Sequence, residues 1–168
     1  MKIFLIVLVL LLLSTLCFAQ AYTVERVIDG DILKLTNGET VRLIGIDCPE
    51  IDTEEGKKAT ELVKRILTLY KDWNIVLEFD VEKRDKYGRQ LAYVFIDTEI
   101  KEGEEFGFKH HSDYHFDYYD GKWMCFLNAT IIKVGYASPM TISPNVRHAD
   151  LFQRLYKEAR ENKRGLWR

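Results

Sequence analysis

Residues 41–50, "VRLIGIDCPE", set one arginine, two carboxylates and a proline among Leu43, Ile44 and Ile46. Side chains alternate faces along a strand, so Arg42 and Asp47, five apart, point to opposite sides of a regular one. They address one cleft only if the strand breaks between them. Gly45 can supply that break as a bulge. Pro49 bars Cys48 from the helical region and ends the ladder, which leaves Asp47 and Glu50 on an irregular rim. Clustered charge on such a rim is where catalytic residues gather.

Working outward, "YTVERVIDGDILKLTNGETVRLIGID" (22–47) reads as a three-strand meander, with Asp29-Gly30 and Asn37-Gly38 as its turn dipeptides. After Pro49 the period changes. Ala59, Leu62, Val63, Ile66, Leu67 and Tyr70 recur at three and four and predict an amphipathic helix, capped by Thr53 or Asp52 and started by Glu54 and Glu55. "NIVLEFDVEKRDKYGRQLAYVFID" (74–97) predicts two strands around a polar turn at 85–89, which makes five strands. Residues 98–121 keep no period and read as a long hairpin or loop insertion. Asn128 is placed to cap a short helix over 129–134 that ends at Gly135, and a last helix spans about 148–162 with Leu151, Phe152, Leu155 and Ala159 as its apolar stripe. Trp167 in the closing "GLW" reads as core packing.

The first residues carry Lys2, an apolar run over 3–16, and small residues at Ala19 and Ala21. The run is short for a membrane span and fits a signal peptide cut after Ala19 or Ala21, with an uncleaved anchor as the alternative. The remainder, 22–168, is sized for one domain. Three cysteines then become two, Cys48 and Cys125, which could pair in an oxidising compartment but match no zinc spacing. The whole chain has a formal net charge of −2, yet residues 97–120 hold eight acidic residues against Lys101 and Lys109, so the rest of the mature chain is mildly basic. His110, His111 and His115 in that stretch read as solvated rather than metal-binding. Its aromatics read as packing onto the parent domain, while its charge should repel nucleic acid.

Three charged clusters, "DGD" at 29–31, "VRLIGIDCPE" and "DKYGR" at 85–89, all fall at predicted strand ends, so a barrel can gather them on one rim. Carboxylates with carbonyls and water suit a hard cation such as calcium, magnesium or manganese. Two arginines beside them suit a phosphate, whose oxygens a guanidinium fork matches bidentately.

"VIDGDILKL", "VRLIGIDCPE", "DKYGRQLAYVF", "LNATIIKVGYA" and "GLW", in this order, resemble the staphylococcal-nuclease-like, or thermonuclease, family. The resemblance implies an α+β fold, a five-stranded OB-type barrel with three helices. It implies calcium held by the carboxylates of Asp31 and Asp47 and the backbone carbonyl of Cys48, with Asp29 as a further carboxylate nearby. Glu50 would position and deprotonate the attacking water, Arg42 and Arg89 would clamp the phosphate, and Lys86 and Tyr87 would contact a neighbouring one. The activity so implied is a secreted or periplasmic, monomeric, calcium-dependent endonuclease acting on DNA and RNA and leaving 3′-phosphate ends. Competing readings are a barrel module that binds nucleic acid or protein without cutting, and an exported phosphodiesterase for small nucleotides. Three departures stand out. Ile32 replaces a usual threonine, Cys48 replaces a threonine or small residue, and Thr141 and Ile142 stand where tyrosines flank the terminal nucleotide, which weakens base stacking there.

Overall fold

The computed structural model describes residues 21–70, 74–101, 113–119 and 121–168. The signal-peptide reading, along with Phe106, Phe108, His110 and His111, lies outside the described residues.

The meander forms as expected from its turn residues: β1 (Ala21–Asp29), β2 (Ile32–Leu35) and β3 (Thr40–Leu43), each antiparallel to the last. The chain then breaks at Ile44 and resumes as β4 (Gly45–Asp47), which leaves the meander to pair with β9 (Ser138–Met140). Gly45 has φ +78°, and a Cβ there would stand 2.5 Å from the Phe152 ring, so both backbone and space require glycine.

Helix α1 (Glu54–Leu69) starts at Thr53, whose hydroxyl accepts the Gly56 N–H at 2.9 Å. It buries Ala59, Leu62, Val63, Ile66 and Leu67 against the barrel. Strands β5 (Asn74–Glu78) and β6 (Gln90–Lys101) come next; β5 pairs with β1 as well as β6. A parallel pairing of β3 with β6, Arg42 beside Leu91, closes the five strands β1, β2, β3, β5 and β6 into a barrel. Leu33, Leu35, Val41, Leu43, Val94 and Ile96 fill it.

Two features differ from the sequence expectation. Of the two readings of the acid-rich stretch, hairpin or loop, the described residues take the paired one and extend further than expected: β6 continues to Lys101, and β7 (Phe116–Tyr119) with β8 (Lys122–Phe126) adds to the same sheet. Of its described aromatics Tyr114 is buried and Tyr119 stacks on Phe95 at 4.7 Å, as expected, while Tyr118 stays exposed. Second, Asn128 does not cap α2 (Leu127–Lys133); Phe126 holds the cap position without a side-chain bond. Fully buried, Asn128 instead accepts the Val94 N–H and donates to the Ile44 carbonyl, both at 2.9 Å, tying β6 to the strand break. A capping amide and a core bridge look alike in sequence because both put a polar residue ahead of an apolar helix.

Helix α3 (Ala149–Glu161) buries Phe152, Leu155 and Ala159, and a 3₁₀ turn (Gly165–Trp167) closes the chain with Trp167 edge-on to Tyr156. Cys48 and Cys125 are both buried free thiols. Among the described residues no helix is long and apolar enough to cross a membrane.

Candidate active site

The broken strand brings Arg42 and Asp47 to one side, as their spacing in sequence required. Arg42 is 9 % exposed, and its guanidinium reaches Asp47 at 3.0 Å and Asp31 at 3.2 Å through the same nitrogen. Its other terminal nitrogen donates to the carbonyls of Leu43 at 2.7 Å and Ile46 at 2.8 Å. The arginine thus both neutralises the two acids and satisfies backbone acceptors that the break exposes.

Asp31 follows the β1–β2 turn. Its carbonyl accepts the Leu43 N–H and its carboxylate the Cys48 N–H, so one residue fastens both ends of the bent segment. Burial pushes the Asp31 carboxyl up to about 6; Arg42 and the Cys48 N–H oppose the rise, and neighbouring Asp29 and Asp47 add to it. Asp29, also buried, accepts the Gly30 N–H. Burial likewise pushes the Cys48 thiol well up, with Asp31 reinforcing it, so the sulfur stays protonated and only the carbonyl of that residue is suited to a hard cation.

Glu50 is exposed, two residues beyond Cys48. Its carbonyl accepts both the N–H and the hydroxyl of Thr53, and a Cβ on Gly56 would lie 1.9 Å from that oxygen. The loop bearing Glu50 is therefore seated directly on the first turn of α1.

Across the barrel seam, the turn 85–89 is organised by Asp85, which accepts the N–H groups of Tyr87 and Arg89 and the Arg89 Nε at 2.6 Å. Burial alone would raise this carboxyl, but those hydrogen bonds hold it below the usual range. Arg89 and Lys86 both lie over the ring of Tyr87, at 5.2 and 5.0 Å, and Tyr87 itself is 71 % exposed. Because β3 and β6 pair in parallel, Arg42 sits beside Leu91, two residues from Arg89 and so on its side of the strand. Arg42, Lys86, Tyr87 and Arg89 consequently share one cleft of about 350 Å³ with Met140 and Ile142.

Sequence reasoning missed two supports of this cleft. Arg84 grips Glu39 with both terminal nitrogens, each at 2.9 Å, and also reaches the Gly88 carbonyl. Asn145 pairs with the backbone N–H and C=O of Glu82 through its side-chain amide. Both join segments more than forty residues apart, and no local pattern announces such a bond.

Among the described residues no group of three or more His, Cys, Asp or Glu side chains clusters as a metal cage. The donors present are two carboxylates drawn together by one guanidinium and an adjacent backbone carbonyl. Such an oxygen set fits a hard cation that keeps several waters, and fits zinc or copper poorly.

A family described as staphylococcal nuclease homologue matches residues 40–168, a span holding Arg42, Asp47, Glu50 and Arg89 but not Asp31. The chain is 31 % identical over 163 residues to a thermonuclease of Staphylococcus intermedius, covering 92 % of this chain and 80 % of that one. It is 29 % identical over 157 residues to a thermonuclease of Staphylococcus hyicus, covering 88 % and 76 %. To the SPbeta prophage-derived endonuclease YokF of Bacillus subtilis it is 31 % identical over 153 residues, covering 86 % of this chain and 43 % of that one.

Proposed function

We propose that this chain, which belongs to the staphylococcal nuclease homologue family and is a nuclease of that family, is an exported, calcium-dependent endonuclease that hydrolyses DNA and RNA to 3′-phosphate ends. The supporting observation is the convergence of Arg42, on β3, and Arg89, in the turn that leads into β6, on one cleft beside the Asp31–Asp47 pair, β3 and β6 meeting where the barrel closes.

In this reading residues 1–21 are removed on export and 22–168 act as a single, monomeric domain. Asp31, Asp47 and the Cys48 carbonyl hold the calcium, with Asp29 behind them. A divalent cation so held supplies Lewis acidity, lowering the cost of bringing hydroxide to an anion. Glu50 orients the attacking water and takes its proton. Arg89, through its terminal nitrogens, and Arg42, through the Nε–H that its carboxylates and carbonyls leave over, hold the scissile phosphate in line and stabilise the charge added as the fifth oxygen arrives. Lys86 and Tyr87 take a neighbouring phosphate.

The test is hydrolysis of single-stranded DNA and of RNA by the purified mature chain, with calcium or a chelator, beside a folded Glu50→Gln variant. Calcium-dependent cutting, reduced at least about a hundredfold in the variant, is the expected result. No cutting by the parent with calcium, magnesium or manganese would give the lead to a binding module without activity.

A further inference from the structure

Two further clefts adjoin along α1, sharing Leu62, Arg65 and Tyr136. The larger, about 650 Å³, is walled by Arg164 and Arg168; the smaller, about 330 Å³, by Lys58. Lys57 and Lys64 on the same helix are each taken up by the glutamate three residues earlier. Lys58 and Arg65 are placed otherwise. Seven residues apart, they share one edge of α1, about 10 Å apart along its axis. Both are exposed, and neither makes an ion pair among the described residues, Arg65 lying beside the hydroxyl of Tyr114. The half-buried Tyr136 lines both clefts with Arg65, and the exposed Arg168 lines the larger. Among the described residues the carboxylates lining or pairing at these clefts are Asp113, Glu61, which is bound to Lys64, and Glu158, which holds Arg164.

We propose that this line of cations is a second nucleic-acid site, binding the backbone of a single-stranded polynucleotide several nucleotides from the bond being cut. The inference rests on the nuclease reading and extends it from a cleft to a track. Helix α1 begins four residues after Glu50, with the Glu50 loop seated on its first turn, so Lys58 is the nearer of the two cations to that loop and Arg65 lies two turns further along. Cations spaced along a groove, with an aromatic beside them, are the arrangement that follows a single strand without reading its sequence. On a chain of net charge −2, such a stripe also supplies the local attraction for a polyanion that overall charge denies.

The experiment compares the parent with Lys58→Gln/Arg65→Gln, both exposed positions, on fluorescein-labelled single-stranded DNA of four and sixteen nucleotides. Binding is read by anisotropy in chelator, and KM and kcat with calcium. The 16-mer should bind the variant about fivefold more weakly with KM raised to match, and its log K against log salt should become shallower by about 1.4 for two lost phosphate contacts. The 4-mer and kcat should not change. Equal 16-mer affinity in parent and variant, tighter binding by the variant, or an equal loss for both lengths overturns the proposal. Absence of hydrolysis by the parent would instead fail the nuclease reading, and the anisotropy arm would still decide the second site.

Discussion

Arg42 and Arg89 face the same cleft yet are held in opposite ways. Arg42 is buried, and its two terminal nitrogens are spent on two carboxylates and two carbonyls. Arg89 is tethered at Nε to Asp85, in a turn on the surface, and its terminal nitrogens make no hydrogen bond among the described residues. One arginine builds the bend it serves, while the other is presented by a turn that stands without it. A buried charge that completes a structure costs several kcal/mol when its partners are left alone, whereas a single half-buried tether such as Arg89–Asp85 costs less.

The sharpest way to break this contrast is Arg42→Ala. Hydrolysis should fall by at least about a thousandfold, and loss of the countercharge to buried Asp31 should cost about 3 kcal/mol, lowering Tm by about 10 °C in a thermal melt. Arg89→Ala should lower kcat by about a hundredfold or more while Tm moves by no more than about 2 °C. If both variants melted alike, the division between builder and presented group would be wrong. Asn128→Ala sharpens the point from the other side, since Asn128 supports the break beneath Arg42 without facing the cleft. Leaving the Val94 N–H and the Ile44 carbonyl unpaired in the core should cost about 2 to 4 kcal/mol, read by urea denaturation, with kcat of the remaining folded protein within about tenfold.

The smallest effect is in pH. Asp85, Asp80 and Glu78 all sit below the usual carboxylate range: burial opposes this, but hydrogen bonds from Arg89, from Arg147 and Tyr93, and from His148 and Arg147 respectively outweigh it. A carboxyl whose folded pKa is depressed contributes stability that is full above its unfolded pKa, near 4, and is lost as pH falls through the lower folded value. On account of these groups Tm should hold from pH 8 to about 5 and fall below about 4, while Asp31, whose carboxyl is raised to about 6 in the folded chain, should add a rise in Tm as pH falls through about 6. In Arg89→Ala the fall should begin at a slightly higher pH, because Asp85 loses its main partner.

Much of this was legible in the sequence. The meander, the helix after Pro49 and the broken strand come from turn dipeptides, a change of period, and a glycine between charges that had to meet. The charged clusters were legible for the same reason, since each falls at a turn or a strand end, while the roles assigned within them came from the family resemblance. What escaped was non-local. A barrel gathering Arg42 and Arg89 on one rim was expected, but not the seam that does it, the parallel β3–β6 pairing of strands 49 residues apart in register. Asn145 clamping Glu82, Arg84 gripping Glu39 and Asn128 crossing the core are likewise bonds between distant segments. The extension of β6 into the acidic stretch was hidden because its pairing partner, β8, lies beyond that stretch.

The bridge made by Asn128 also bears on time. One amide joins Ile44 to Val94 from a helix of its own, and the Ile44 N–H is taken by the Ala92 carbonyl. Three stretches of chain must therefore arrive together before the bend that carries Arg42 and Asp47 can hold its shape. A half-folded chain, with meander and helices formed but this meeting incomplete, holds its carboxylates and arginines apart and is inert. In a refolding experiment, hydrolysis should return with the slowest phase of side-chain burial and never ahead of it, making activity a clock for the last step of assembly.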